Sequence, residues 1–284
     1  MKIQYLGTAA AEGWPGIFCR CPACREATRR GGRNLRTRSQ SIIDDRLLLD
    51  FPPDTYMHML QHGVDLPSIT ACLITHTHQD HLYWLDLTMR TAGFANPKYM
   101  TEKPLTLYGN DDMTQLLDDI AAKHDPRVAE GVLDYRYLQP HQTTEIEGYA
   151  VTPLNANHFP GHGAYNYIIE KGGKRLLYAH DTGPFLEETW SYLRGTRFDL
   201  ISLDCTMLAK DIRTTHMGIN ACCDTRARLL EEGCADDRTL FVINHFSHNG
   251  AFCPDGSLLL HEELVALMEK KGVLVTYDGM SLVF

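Results

Sequence analysis

Four side chains with lone pairs for a metal lie within six residues: His76, His78, Asp80 and His81, in Thr75-His76-Thr77-His78-Gln79-Asp80-His81. The run follows Ala71-Cys72-Leu73-Ile74, which reads as a short buried strand. In extended chain alternate residues point the same way, so His76 and His78 can reach one ion together. Asp80 and His81 then stand at the turn into a helix beginning near Leu82 and can reach a second ion. Imidazole combined with carboxylate suits Zn, Mn or Fe. Two such ions about 3.5–4 Å apart activate a water and stabilise the leaving oxygen of a displacement, which is hydrolytic chemistry. A chance run of histidines in a polar turn explains this spacing behind an apolar strand poorly.

Cys19, Cys21 and Cys24 form a second group, in Phe18-Cys19-Arg20-Cys21-Pro22-Ala23-Cys24. Thiolates so spaced can wrap one zinc, with the fourth ligand from elsewhere. The other six cysteines (Cys72, Cys205, Cys222, Cys223, Cys234 and Cys253) lack such spacing and read as buried free thiols. An odd total of nine does not suggest a disulfide framework. Arg25, Arg29, Arg30, Arg33, Arg36 and Arg38 make a local basic run, either a grip for phosphate or a solvated face. Asp54, beside Pro53, is expected to cap the helix after it.

Short apolar strands alternate with amphipathic segments along the chain. Ile42-Ile43 and Leu47 to Leu49 read as a hairpin turning at Asp44-Asp45, and Tyr56 to Gln61 as a helix. Leu105 to Tyr108 is an expected strand and Met113 to Lys123 an expected helix. Tyr165 to Glu170 and Arg175 to Ala179 pair across Gly172-Gly173. Further strands are expected at Leu200–Leu203, Leu240–Ile243, around Val273–Tyr277 and at Leu282–Phe284, with helices at Ile219–Glu231 and Glu262–Lys270. Two mixed sheets packed face to face with helices outside accommodate this order, in one domain spanning residues 1–284. The formal charge of −9 argues against nucleic acid as the main partner. No apolar run approaches the roughly 20 residues of a membrane span, so no membrane partner is expected. Met1 to Gly7 reads as a strand and a turn, without the apolar core of a secretory signal, and a cytoplasmic protein is expected.

The run Thr-His-x-His-x-Asp-His resembles the signature of the metallo-β-lactamase superfamily. That resemblance implies an α/β fold, a four-layer αββα sandwich, and places further residues. Asp50, ending Leu48-Leu49-Asp50, would support the ligand loop by hydrogen bonding. His158, in Asn155-Ala156-Asn157-His158, matches a lone histidine before a hairpin, with His162 as its rival. Asp181, in Ala179-His180-Asp181-Thr182-Gly183, matches an aspartate that bridges two ions, and His245, after Phe241 to Asn244, matches a final histidine. By this carry-over one ion takes His76, His78 and His158, the other takes Asp80, His81 and His245, and Asp181 joins them. The cysteine group together with His245-Phe246-Ser247-His248 resembles the PhnP-like group of cyclic-phosphate phosphodiesterases within that superfamily. It implies a structural zinc on Cys19, Cys21, Cys24 and His248, with His248 pointing away from the catalytic ions. His216, in Thr214-Thr215-His216-Met217-Gly218, would be the general acid of this group, the alternative being a surface histidine beside a helix.

The implied function is a metal-dependent hydrolase, a phosphodiesterase acting on a small phosphodiester, cyclic ones included. A hydroxide held between two divalent ions (Zn or Mn, with Fe as a third choice) attacks phosphorus, Asp80 and His216 serve catalysis, and no organic cofactor is expected. The same ligand set is compatible with a lactone or thioester hydrolase and with an RNA nuclease. A di-iron redox protein and a non-catalytic binding module are the readings from other classes. The expected partner is a small-molecule phosphodiester, and a homodimer is an admissible assembly.

Overall fold

In a computed structural model, which describes residues 1–123, 133–159, 161 and 163–284, the chain forms two seven-stranded sheets. The first has the order β14(Met280–Val283), β1(Lys2–Gly7), β2(Gln40–Ile43), β3(Leu47–Leu49), β4(Ala71–Leu73), β5(Leu105–Gly109), β6(Leu133–Tyr137). The second has the order β13(Leu274–Val275), β12(Leu240–Asn244), β11(Leu200–Asp204), β10(Lys174–Ala179), β9(Tyr165–Lys171), β8(Tyr149–Asn155), β7(Thr144–Ile146). Each sheet joins an antiparallel half to a parallel half. The parallel pairs run from β3 to β6 in the first sheet and from β10 to β13 in the second.

Alternation along the strands divides the apolar residues between faces. Ile3, Tyr5, Leu47 and Leu49 meet Tyr149, Val151, Tyr167 and Tyr178 in a core between the sheets. Leu6, Leu48, Cys72 and Leu107 face outward, where Met113, Leu117 and Ile120 of α4(Asp111–Lys123) cover them. These three recur at helical spacing, Asp111 and Asp112 lie in the first turn, and Asn110 accepts a hydrogen bond from the Met113 N–H at 2.9 Å. The outer face of the second sheet is covered by α1(Pro22–Arg30), α5(Glu187–Leu193), α6(Ile219–Glu231) and α7(His261–Glu269). Two mixed sheets flanked by helices are the four-layer sandwich expected. No helix among the described residues is long and apolar enough to cross a membrane.

Several local expectations need correction. The arginine run is not one face: Arg25, Arg29 and Arg30 lie in α1 and, with Arg33, are exposed, whereas Arg36 is buried and Arg38 partly so. Arg29 and Arg30 pair with Glu26, and Arg30 also with Glu262 and Glu263. Arg36 is buried, donating to Thr8 Oγ1 and the Thr276 carbonyl at 2.8 and 2.7 Å. Asp54 stands at the N-cap of α2(Thr55–His62) but does not cap it. Its carboxylate accepts from the Arg38 N–H and guanidinium instead, at 2.9 and 3.0 Å. Of the six remaining cysteines, Cys72, Cys205, Cys222 and Cys234 are buried, while Cys223 and Cys253 are partly exposed. His162 lies outside the described residues.

Candidate metal centre

The parallel halves of both sheets end at one edge, and the ligand-type residues follow those ends. Asp50 follows β3, the Thr75–His81 run follows β4, Asp181 lies just beyond β10, Asp204 closes β11 and His245 follows β12. Asp50, Asp181 and His245 have φ of 66°, 55° and 65°. Left-handed backbone costs a non-glycine residue about 1 kcal/mol or more, least for Asp, Asn and His, and turns each strand abruptly at the edge. Gly183 answers a different need: a Cβ there would lie 1.6 Å from the Thr214 carbonyl oxygen, so only glycine lets the loop carrying His216 pack against Asp181-Thr182-Gly183.

Two ligand sets result. His76 Nε2 lies 2.9 Å from His78 Nδ1, which lies 3.3 Å from His158 Nε2. His81 Nε2 lies 3.1 Å from Asp80 Oδ2 and 3.3 Å from His245 Nε2. One oxygen, Asp181 Oδ2, is 3.3 Å from His76 Nε2 and 3.2 Å from His81 Nε2, so it faces both sets. Each set, taken with Asp181, offers ligand atoms all within 4.8 Å of one another. The structure thus brings together all seven residues named for the two ions.

The protonation pattern shows why these groups suit cations. His81 Nδ1 lies 2.7 Å from Asp50 Oδ2, and Asp50 also accepts from the Thr75 N–H at 2.7 Å. His245 Nδ1 lies 2.8 Å from Thr206 Oγ1 and 3.5 Å from Asp204 Oδ2. With the Nδ1 proton of each ring engaged there, both Nε2 lone pairs point at Asp181 and at each other. Converging lone pairs and carboxylates repel unless positive charge sits among them. Burial alone would lower the His81 pKa, but the Asp80 and Asp50 carboxylates hold it well above its ordinary value. Burial would raise Asp181, but His245, His216, His76 and His81 hold it well below the carboxylate range. Burial lowers His76 to about 4, leaving a neutral imidazole with a lone pair for a metal.

Asp204 was not anticipated. It is fully buried, accepts from the Met217 N–H at 2.9 Å, and lies 3.6 Å from His216 Nδ1. Its signal was present: like Asp50, it is an acid that closes an apolar strand, Leu200-Ile201-Ser202-Leu203-Asp204. His216 Nδ1 also lies 3.0 Å from Asp181 Oδ1, although both atoms are buried without an aligned hydrogen bond. Burial opposes its charge, but Asp181 and Asp204 raise its pKa to about 10. Beneath these residues a polar network ties the strands together. His180 Nε2 lies 2.7 Å from Ser202 Oγ, which accepts from Tyr5 Oη at 3.0 Å, and Asn244 Nδ2 donates to His180 Nδ1 at 3.1 Å. The linked residues His180, Ser202 and Asn244 stand one or two positions before Asp181, Asp204 and His245.

The second cluster lies on the other side of the His245 loop. Cys19, Cys21, Cys24 and His248 offer four ligand atoms within 4.8 Å of one another, with His248 Nδ1 3.5 Å from Cys21 Sγ and 3.9 Å from Cys19 Sγ. Ligands about 2.0–2.3 Å from a tetrahedral zinc lie at such separations. The Gly16, Cys21 and Cys24 N–H groups donate to Cys24, Cys19 and Cys21 sulfur at 3.3–3.4 Å; the bond from the Cys21 N–H holds the Cys19 thiol below its usual range, while burial pushes the Cys24 thiol up to about 12. A Cβ on Gly16 would lie 2.7 Å from His248 Nε2, so the loop closes on the histidine only with glycine there. Glu12, also unanticipated, approaches His248 Nε2 at 3.6 Å and accepts a hydrogen bond from Ser247.

Residues 45–235 match the family model described as Beta-lactamase superfamily domain. Among curated proteins the chain is 28% identical over 165 residues to an octanoyltransferase of Porphyromonas gingivalis, covering 56% of this chain and 31% of that protein. It is 28% identical over 243 residues to coenzyme PQQ synthesis protein B of Methylobacterium radiotolerans, covering 74% and 75%. It is 26% identical over 174 residues to ribonuclease Z of Staphylococcus haemolyticus, covering 60% and 49%. The chain therefore spans about a third of the first of these relatives and half of the third. Two solved structures share the fold along the whole chain. Zinc-bound PqqB from Methylobacterium extorquens has a TM-score of 0.76 at 22% identity, covering all of both chains. A diphosphatase from the PhnP family has 0.75 at 22%, covering all of this chain and 97% of the other.

Proposed function

The chain belongs to the beta-lactamase superfamily domain family, and on that premise we propose that it is a dinuclear-metal-dependent phosphodiesterase acting on small phosphodiesters, cyclic ones included. The observation that carries this reading is Asp181, whose one oxygen faces both ligand sets while the other faces His216. Residues His76, His78 and His158 would hold one ion and Asp80, His81 and His245 the other, with Asp181 facing both sets. Bound there, divalent ions would supply Lewis acidity that activates water and neutralises charge on a phosphoryl group.

The protein's own groups do the rest. Asp50 and Thr75 orient the loop that carries four of the ligands. His216 is held protonated by Asp204 and Asp181, and it stands beside the centre to deliver a proton to a departing alkoxide. Asp181 and Asp204 both face Nδ1, at 3.0 and 3.6 Å, leaving Nε2 as the donor. A zinc held by Cys19, Cys21, Cys24 and His248 would be structural, tying the N-terminal loop to the segment after His245. The PhnP-family diphosphatase supports phosphate chemistry by analogy of fold, and the PqqB structure supports zinc. Likeness to ribonuclease Z keeps RNA cleavage as a second reading, which the net charge of −9 disfavours.

The test reconstitutes the purified chain with Zn or with Mn and assays bis-p-nitrophenyl phosphate, a five-membered cyclic phosphate, a lactone and an acyl thioester. Metal-dependent turnover of the phosphodiesters is expected. No phosphodiester turnover with either metal, or faster turnover of the lactone or thioester, overturns the assignment.

A further inference from the structure

On the outer face of the first sheet lies a cavity of about 380 Å³. Its volume falls within the roughly 300–1,000 Å³ of small-molecule pockets. Leu48 and Leu105 of β3 and β5 form part of its floor, and Met59 and Leu66 one side. The segment that follows the ligand run, beginning with α3(Trp84–Leu87), closes it with Leu87 and Tyr99. None of the residues of either candidate metal cluster lines it.

The cavity is apolar but not uniformly so. Asp86 and Arg90 line it, and no ion pair joins them among the described residues. Arg90 Nε is buried without a hydrogen-bond partner, and the guanidinium's one recorded bond is from Nη2 to the Lys103 carbonyl at 3.0 Å. A second depression adjoins at Arg90 and Met100, lined also by Lys98, Glu102 and Lys103. Neither lysine has a carboxylate partner among the described residues; Lys98 Nζ lies 5.6 Å from the Tyr99 ring centroid. The cavity itself holds one cation and one carboxylate, Arg90 and Asp86, and the adjoining depression adds Lys98 and Lys103 against Glu102, on a protein of net charge −9.

We propose that this cavity binds a small amphiphilic anion, with its alkyl or aryl body among Leu48, Leu87 and Leu105 and its carboxylate or sulfonate on Arg90, flanked by Lys98 and Lys103. The chemistry requires one apolar body and one anionic head. Arg90 and the adjoining lysines, three cations against Asp86 and Glu102, favour an anion over a neutral lipid or a cationic amine. The site is separate from the metal centre and stands whether or not the phosphodiesterase assignment holds.

The test titrates the metal-loaded full chain with 1-anilinonaphthalene-8-sulfonate and follows its fluorescence, then displaces it with decanoate and with decylamine. Saturable binding of one probe per chain is expected, with displacement by decanoate at least tenfold more effective than by decylamine. Ala95→Trp fills the cavity from its lining loop and should weaken the probe at least tenfold. Arg90→Leu should abolish the preference for decanoate over decylamine while leaving an apolar site. Both variants are first compared with the parent by thermal melting. Non-saturable binding, equal displacement by the two competitors, or unchanged binding in folded Ala95→Trp overturns the proposal. Phosphodiesterase activity is not a readout, so this result is independent of the catalytic assignment.

Discussion

In the cysteine cluster, three of four ligand atoms come from six consecutive residues, and N–H groups of the same turn bond the sulfurs. Around Asp181, seven residues come from four stretches of chain at the ends of strands in both sheets. The first cluster offers four mutually close ligand atoms, enough to close one tetrahedral ion. The second shares a carboxylate between two sets and has His216 standing beside it. A locally folded site constrains the chain around it, whereas a site gathered from strand ends inherits its geometry from the registers of two sheets. The closed site suits structure and the gathered site suits chemistry.

The largest effect should come from breaking the shared carboxylate. Asp181→Asn keeps the size of the side chain but removes the charge that both sets face. We expect kcat on phosphodiesters to fall at least ~10³-fold, equivalent to about 4 kcal/mol. Metal analysis should show loss at the gathered centre while the cysteine zinc stays. Equal loss from both clusters would mean that they are not independent.

His216→Asn tests whether the gathered centre carries chemistry beyond its ions. A lost general acid costs roughly 10²–10⁴-fold, and only where the leaving group needs a proton. Turnover of an alkyl phosphodiester should therefore fall far more than that of bis-p-nitrophenyl phosphate, whose phenolate leaves unaided, with metal content unchanged. An equal fall on both substrates would make His216 a structural residue.

Cys21→Ser addresses the closed site from its own side. We expect one zinc lost per chain, a stability loss on the order of 2–4 kcal/mol in thermal or urea unfolding, and both catalytic ions retained. Unchanged zinc content with unchanged melting would show that the four ligand atoms do not hold a metal.

The same contrast explains what could be read before the fold was known. Three cysteines in six residues, and four metal-binding side chains behind one strand, are short-range patterns. The helix Ile219–Glu231 and the hairpin across Gly172-Gly173 were legible for the same reason, since spacing fixes them locally. His158, Asp181 and His245 were reached only through resemblance, because nothing local says that three distant strand ends share an edge. Asp204 was missed since one acid after one strand is an ordinary event, and its meaning comes from the 3.6 Å to His216. Helix α1 was missed because its arginines read as surface charge, while Ala23, Cys24 and Ala27 are too small to mark an apolar face. Asp54 was misjudged because a better partner, Arg38, arrives from sixteen residues away.

The smallest expected effect separates the frame from both clusters. Acid protonates cysteine and histidine ligands everywhere, so acid unfolding would ordinarily be read as loss of metal. His58 lies in α2, belongs to neither cluster, and is buried with Nδ1 2.6 Å from Gln40 Oε1 and Nε2 2.7 Å from Thr37 Oγ1. Burial lowers its pKa from 6.5 to about 4. Between those values the unfolded chain binds a proton that the folded chain refuses, so stability rises with pH and is lost as pH falls from 6.5 towards 4. The slope contributed by one such group is at most about 1.4 kcal/mol per pH unit, and its full span on the order of 3 kcal/mol. His58→Gln should cost about 1 kcal/mol at pH 7.5, for an imperfectly replaced pair of hydrogen bonds. It should also flatten the urea-unfolding free energy between pH 6.5 and 4 relative to the parent, with metal content identical in the two proteins at each pH. If the slopes coincide, His58 contributes nothing to the acid sensitivity of this fold, and the sheets that gather the Asp181 centre have no titrating weakness of their own at that position.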